Sequence, residues 1–259
     1  MKKQVHPFNG SLFQIDDDNL VKLRPFVRTF LEQASSLFEM YVCTMGTRCY
    51  AKAAVKLLDP DSKYFGSRII AREDFNGKDR KNLDLVLVLG QERGIVILDD
   101  TESVWSDRTE NLIVVAKYDY FRDKELKGDH KSYSETQTDE SEHEGVLTNV
   151  LRVLKTIHRL FFDSVCGDVR TYLPKIRRGI LKGCSLLFSD FEDFIRSSSR
   201  AEEMGATCTI VIDSVTHLVS TEPEDCLCPE QEEKFLVHPR WIDDCYFLWH
   251  RQPEDDYLP

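Results

Sequence analysis

An α/β fold on a parallel sheet, carried by two domains, is what this sequence predicts, and three observations support it. Gly94-Ile95-Val96-Ile97-Leu98-Asp99-Asp100 is an aliphatic run ending abruptly in two carboxylates, the pattern of a parallel strand covered on both faces. Short apolar runs alternate with helical patterns through the first part of the chain, as right-handed crossovers require. At 259 residues the chain is long enough for two domains, and its pattern changes after Gly167.

Leu23, Val27, Phe30, Leu31, Ala34, Leu37 and Phe38 recur at helical spacing, with Pro25 suited to a first turn. Met40 to Thr44 reads as a short buried strand. A second helix runs through Tyr50, Ala51, Ala54, Val55 and Leu58 and stops before Pro60. Arg68 to Ala71 is a further short strand, a helical stretch spans Lys81 to Leu89, and Leu112 to Val115 supplies another strand. Asp123 to Glu144 is charged and hydroxyl-rich and is expected to be a solvated loop. Val146, Leu147, Val150, Leu151, Leu154, Ile157 and Phe161 then mark a long amphipathic helix. Lys175, Arg177, Arg178 and Lys182 read as a basic patch before the strand Cys184 to Phe188, and the domain boundary is placed near Asp163 to Tyr172.

Composition narrows the function. With 45 acidic against 34 basic residues the formal charge is -11, which disfavours general affinity for nucleic-acid backbone. No apolar run reaches the length of a membrane span, and Met1 to His6 lacks the apolar core of a signal peptide. The expectation is a soluble intracellular protein with no direct nucleic-acid or membrane partner. Its 8 cysteines are expected to be reduced and mostly buried; the alternative is a metal site of Cys226 and Cys228 with Cys245 or His238.

The Asp99-Asp100 pair carries the chemistry. Ligands of open α/β sheets bind beyond the carboxyl ends of strands, and two adjacent like charges repel unless a cation lies near them. A Mg²⁺ or phosphate site is one reading, and an Asp-rich turn capping the next helix is the other.

Lys22-Leu23-Arg24-Pro25, Tyr41-Val42-Cys43-Thr44-Met45-Gly46-Thr47-Arg48, Leu57-Leu58-Asp59-Pro60 and Leu98 to Trp105 appear in that order. Together they resemble the phosphatases of the RNA polymerase II C-terminal domain (CTD), most closely the plant CTD-phosphatase-like branch, within the haloacid-dehalogenase superfamily. The resemblance implies an Asp nucleophile, Mg²⁺ and an aspartyl-phosphate intermediate. It also implies Thr44 as the hydroxyl holding a phosphoryl oxygen and Lys81, or the nearby Lys78, as the neutralising lysine. Asp100 becomes the Mg²⁺ ligand, Asp99 the residue orienting the lysine or a metal-bound water, and Arg72 a contributor to the phosphopeptide pocket.

The C-terminal part is similar to a BRCT domain through Leu181 to Cys184, Gly205 to Thr207, Val215 to Val219 and Phe235 to Ile242. Trp241 is expected in its core. Ser189 is followed by Asp190, whose carboxylate would repel phosphate, so phosphopeptide reading through that pocket is not expected. The resulting fold is an incomplete haloacid-dehalogenase-like domain over residues 1–165, lacking its nucleophile strand, and a small α/β BRCT-like domain over 173–259.

The family's apolar strand ending in Asp-x-Asp-x-Thr has no counterpart here. Asp16-Asp17-Asp18-Asn19 does not continue the motif and is expected to be a hairpin turn or a helix cap. A lost central strand removes three or four aliphatic side chains at about 1.5–3 kcal/mol each, comparable to a net domain stability of about 5–15 kcal/mol. Either the strands ending at Thr44 and Asp99 close up directly or the chain is incomplete; an incomplete gene model or truncated paralogue is the expectation. The sequence therefore points to a nuclear CTD phosphoserine phosphatase by descent, inactive as written. Its expected partners are the phosphorylated polymerase tail and, through the BRCT-like module, a protein of the transcription machinery. The alternative is a non-catalytic interaction protein.

Overall fold

A computed structural model describes residues 11–15, 20–75, 80–81, 92–105, 108–121, 132–211, 214–222 and 234–259. It falls into two compact units, one of residues 1–92, 101–112 and 117–158, the other of 93–100, 113–116 and 159–259.

In the first unit, β1 (Leu12–Gln14) and β2 (Leu20–Lys22) form an antiparallel pair with Phe13 opposite Val21. The Asp16 to Asn19 stretch between them lies outside the described residues. Helix α1 covers Val27–Ser35 and buries Phe30, Leu31 and Ala34, so it starts later than the apolar periodicity suggests. The cause is Phe26, whose left-handed φ of 65° is incompatible with a helical turn and leaves Pro25 ahead of the helix. Strand β3 (Val42–Cys43) runs parallel to β4 (Ile69–Ile70), with Val42 opposite Ile69 and Cys43 opposite Ile70. Between them, α2 (Arg48–Leu58) begins at Thr47, whose hydroxyl oxygen accepts the Tyr50 N–H.

Among its described residues, the stretch before Gly145 holds one short helix, α3 (Tyr133–Thr136), closed by a capping box of Ser132 and Glu135. Short hydroxyl-rich sequence without apolar periodicity hides such a turn from a helical-spacing search. The long helix α4 (Val146–Asp163) buries Val146, Val150, Leu154 and Ile157 at the expected spacing. It is tied to the α1 segment by Lys155 donating to Gln33 and by the edge-on rings of His158 and Phe38.

In the second unit, β5 (Ile97–Asp99) pairs with β6 (Leu112–Val114). Among the described residues β3–β4 and β5–β6 are each two-stranded sheets, so the strands ending at Thr44 and Asp99 do not close up into one ladder. Helix α5 (Val169–Arg177) follows, N-capped by Asp168. The strands β7 (Ser185–Phe188), β8 (Thr207–Cys208), β9 (His217–Val219) and β10 (Phe235–Val237) form a sheet in the order β10-β9-β7-β8, parallel throughout. Helices α6 (Phe191–Glu203) and α7 (Arg240–Leu248) supply Ala201, Trp241, Ile242 and Cys245 to its core. This is the small α/β module the sequence leads one to expect. Gly205, at φ +93°, makes the turn into β8, where a Cβ would strike the Arg178 carbonyl.

Two further expectations change. Arg177 is no part of a surface patch: it is 9% exposed, with its guanidinium 4.1 Å from the ring centroids of both Tyr246 and Trp249. Stacking between two aromatic faces compensates its desolvation. Of the described cysteines, Cys184 and Cys245 are buried but Cys49 and Cys166 are exposed. Cys226 and Cys228, and with them the alternative metal site, lie outside the described residues, and burial pushes the Cys245 thiol up to about 12. The stretch from Asn82 to Leu89, like Lys78, also lies outside the described residues. No described helix is long and apolar enough to cross a membrane.

Candidate active site

Thr44 is the first residue beyond β3, and its N–H donates to the Ile70 carbonyl at 2.9 Å. Its hydroxyl oxygen accepts the Gly46 N–H at 3.0 Å, which leaves the hydroxyl proton as a donor. Arg72, just past β4, pins this turn twice. Its N–H donates to the Gly46 carbonyl at 3.0 Å, and its Nε to the Met45 carbonyl at 2.7 Å. The parallel β3–β4 pairing delivers both chain ends to the same edge, which is why residues 28 positions apart meet (44 to 72). A Cβ at Gly46 would sit 3.1 Å from Tyr50 Cδ1 and 3.3 Å from Thr44 Oγ1, so glycine keeps the hydroxyl uncrowded.

Glu73 and Asp74 were not singled out from sequence and prove integral to this turn. Both Glu73 carboxylate oxygens accept the Arg48 N–H at 2.9 Å, at the start of α2. That backbone donor, first among several causes, holds the Glu73 carboxyl below its ordinary range. Asp74 accepts the Ala71 N–H at 2.8 Å and pairs with the Arg48 guanidinium, which also reaches the Ile69 carbonyl at 2.7 Å. The signal available in sequence was the same as for Asp99 and Asp100: an acidic pair close behind a short aliphatic strand.

Lys81 is half-buried; its N–H donates to the Val104 carbonyl at 3.0 Å and its Nζ lies 5.5 Å from the Trp105 ring centroid. The lysine is thereby fastened to the 3-10 turn Glu102–Trp105 that follows the Asp pair in the chain. Asp99 ends β5, its carbonyl accepting the Val115 N–H at 3.1 Å, and Asp100 is exposed immediately after it. Thr44, Arg72 and Lys81 belong to the first unit, Asp99 and Asp100 to the second.

Two hard carboxylates at a strand end suit Mg²⁺, which keeps several waters and needs only one or two protein oxygens. Among the described residues no group of three or more His, Cys, Asp or Glu side chains gathers where it could hold a metal ion. A separate pocket lined by Lys22, Arg24, Pro25, Phe26, Asp139 and Glu140 contains none of the predicted residues. Its charges are paired internally: Arg24 grips Glu140 at 2.7 and 2.8 Å, and Lys22 reaches Asp139 at 2.6 Å.

An α/β fold is the class these elements define. A solved structure of Fcp1, described as an essential RNA polymerase II CTD phosphatase, superposes with a TM-score of 0.65 at 24% identity, covering 92% of this chain and 80% of that one. The fission yeast enzyme bound to beryllium fluoride gives a TM-score of 0.66 at 24% identity, covering 93% and 81%.

The profile of the NLI interacting factor-like phosphatases matches residues 2–146, and the chain belongs to that family. Among curated relatives, RNA polymerase II C-terminal domain phosphatase-like 4 of Arabidopsis thaliana is 44% identical over 265 residues, covering 96% of this chain. Phosphatase-like 3 of the same plant is 37% identical over 259 residues, covering 91%. The chain spans 60% of the length of the first relative and 21% of the second.

Proposed function

We propose that this chain is the phosphate-binding and partner-binding part of a nuclear protein phosphatase acting on phosphoserine in the RNA polymerase II C-terminal domain. The observation that carries this reading is the turn of Thr44 to Gly46, held from two sides by Arg72. It keeps a hydroxyl donor beside a guanidinium at the mouth of a parallel strand pair, a pairing suited to phosphoryl oxygens. Lys81 adds a second positive charge to the phosphoryl group. In the second unit, Asp99 and Asp100 end β5, and Asp100 would hold Mg²⁺, which when bound supplies Lewis-acid charge neutralisation. The second unit's α/β module is the docking element for a protein of the transcription machinery.

The sequence contains no apolar strand ending in Asp-x-Asp-x-Thr, so no side chain is assigned the attack on phosphorus. The chain as written therefore binds a phosphoserine CTD peptide without turning it over. The non-catalytic alternative is favoured by one feature of the second unit. The carboxylate of Asp190 accepts the N–H groups of Glu192 and Asp193 at the start of α6, which leaves that helix end to bind partners by means other than phosphate.

A phosphoserine CTD heptad peptide titrated into the full chain, with phosphate release followed in parallel, tests the proposal. Binding weakened by Thr44→Val and Arg72→Ala, with no release in Mg²⁺, is the expected result. Mg²⁺-dependent release abolished by Asp100→Ala would overturn the inactive reading. Unweakened binding in Arg72→Ala would overturn the assignment of the Thr44 turn.

A further inference from the structure

Trp249 caps the C-terminal end of α7 in a left-handed conformation, φ 54°, and is 5% exposed. Its indole Nε1–H donates to the Val114 carbonyl at 2.8 Å, a buried bond between residues 135 positions apart. The peptide group that accepts this bond is the one whose other face carries the Val115 N–H, which donates to the Asp99 carbonyl at 3.1 Å. Among the described residues no peptide bond is cis, so the carbonyl and N–H of that rigid plane point in opposite directions. One planar group thus connects the indole on one side to the backbone of Asp99 on the other. Bonds arranged in series polarise one another, and each strengthens the next. Because β5–β6 has only two strands among the described residues, the indole takes the place that a third strand's donor would fill. All of these residues belong to the second unit.

From this arrangement we infer that Trp249 is a positioning residue for the Asp99-Asp100 turn, acting through the peptide plane between Val114 and Val115. The stacked Arg177 guanidinium, 4.1 Å from the Trp249 ring centroid, holds the ring in the orientation the bond needs. The C-terminal module is then a structural part of the carboxylate turn as well as a docking element. The link to metal affinity rests on the proposed role of Asp100; the link to the Asp99 backbone stands without it.

The full chain is compared with Trp249→Phe, which keeps an aromatic ring beside Arg177 but loses the N–H. Tyr246→Phe is the control: it removes the hydroxyl that donates to Glu203 at 3.2 Å in the same aromatic stack. Amide exchange at Val115 and calorimetric titration with Mg²⁺ are the readouts. In Trp249→Phe, Val115 exchange is expected to rise about tenfold, as for one lost hydrogen bond, and Mg²⁺ affinity to fall severalfold; Tyr246→Phe changes neither. Val115 exchange within twofold of the native chain, or an equal rise in both variants, overturns the inference. A native chain that takes up no Mg²⁺, with Val115 still responding to Trp249→Phe, overturns the metal role of Asp100 and leaves the positioning intact. Should Trp249→Phe fail to fold, the native chain decides: the Trp249 indole proton must be protected from solvent exchange, and free exchange overturns the inference.

Discussion

Asp59 shows how much one carboxylate can organise. It is 3% exposed, and its two oxygens accept the N–H groups of Lys63, Tyr64 and Phe65 at 2.7, 2.8 and 2.9 Å, closing the turn that leads into β4. Its burial works against ionisation, but the three backbone donors outweigh it and leave the carboxyl below its ordinary range. Replacing it with alanine strands those donors and is expected to cost about 1–3 kcal/mol in urea unfolding. Because the folded value is the lower one, this stabilisation is complete above the unfolded carboxylate range, about pH 4, and is lost as pH falls through the folded value. Gly46 gives a contrasting test. Gly46→Ala places a methyl 3.3 Å from Thr44 Oγ1 and 3.1 Å from Tyr50 Cδ1, so phosphopeptide affinity should fall severalfold while the unfolding midpoint barely moves. Thr44, Arg72, Lys81, Asp99 and Asp100 were each nameable from the chain because they sit at strand ends or in recognisable motifs. Glu73 carried the same acidic-pair signal, but its role and the pinning by Arg72 were not legible, since both depend on β3 and β4 lying side by side.

At the scale of elements, β9, β10 and α7 meet on a histidine. His217 is 1% exposed, its ring stacked 5.1 Å from Phe235 and 4.8 Å from Trp241. Thr216 lies 2.7 Å from Nδ1, while Glu254 and Arg251 each lie 3.4 Å from Nε2. Desolvation outweighs the pull of Glu254 and lowers the imidazole below its ordinary value. The unfolded chain therefore binds the extra proton, and stability rises with pH through the window below about 6.5. The urea midpoint is expected to be higher at pH 7 than at pH 5, and His217→Asn should flatten that difference. A slope unchanged in the variant would show that another group is responsible. Periodicity located α1, α2 and α4 but set the α1 start too early, because the left-handed turn at Phe26 leaves no mark in apolar spacing.

For the whole molecule, a formal charge of -11 means that the phosphate recognition proposed for Arg72, Lys81 and the Thr44 turn must act locally, against an unfavourable field. The chain is expected to leave duplex DNA unshifted in a mobility assay at physiological salt. A shift that weakens steeply as salt is raised would contradict the absence of nucleic-acid binding. The alternation of strands and helices, the acidic strand end and the four ordered motifs all lie within short stretches of chain, where propensity and spacing act. They were enough to determine the α/β class and the phosphatase family, and to name the candidate site residues. Only the tertiary structure decided that Arg177 stacks between Tyr246 and Trp249 instead of facing solvent, that β3 pairs with β4 and β5 with β6, and that the Trp249 indole reaches the peptide beside Asp99. Those outcomes join residues far apart in the chain. They follow from which buried donors and charges must find partners once the cores have formed, a requirement that local sequence does not encode.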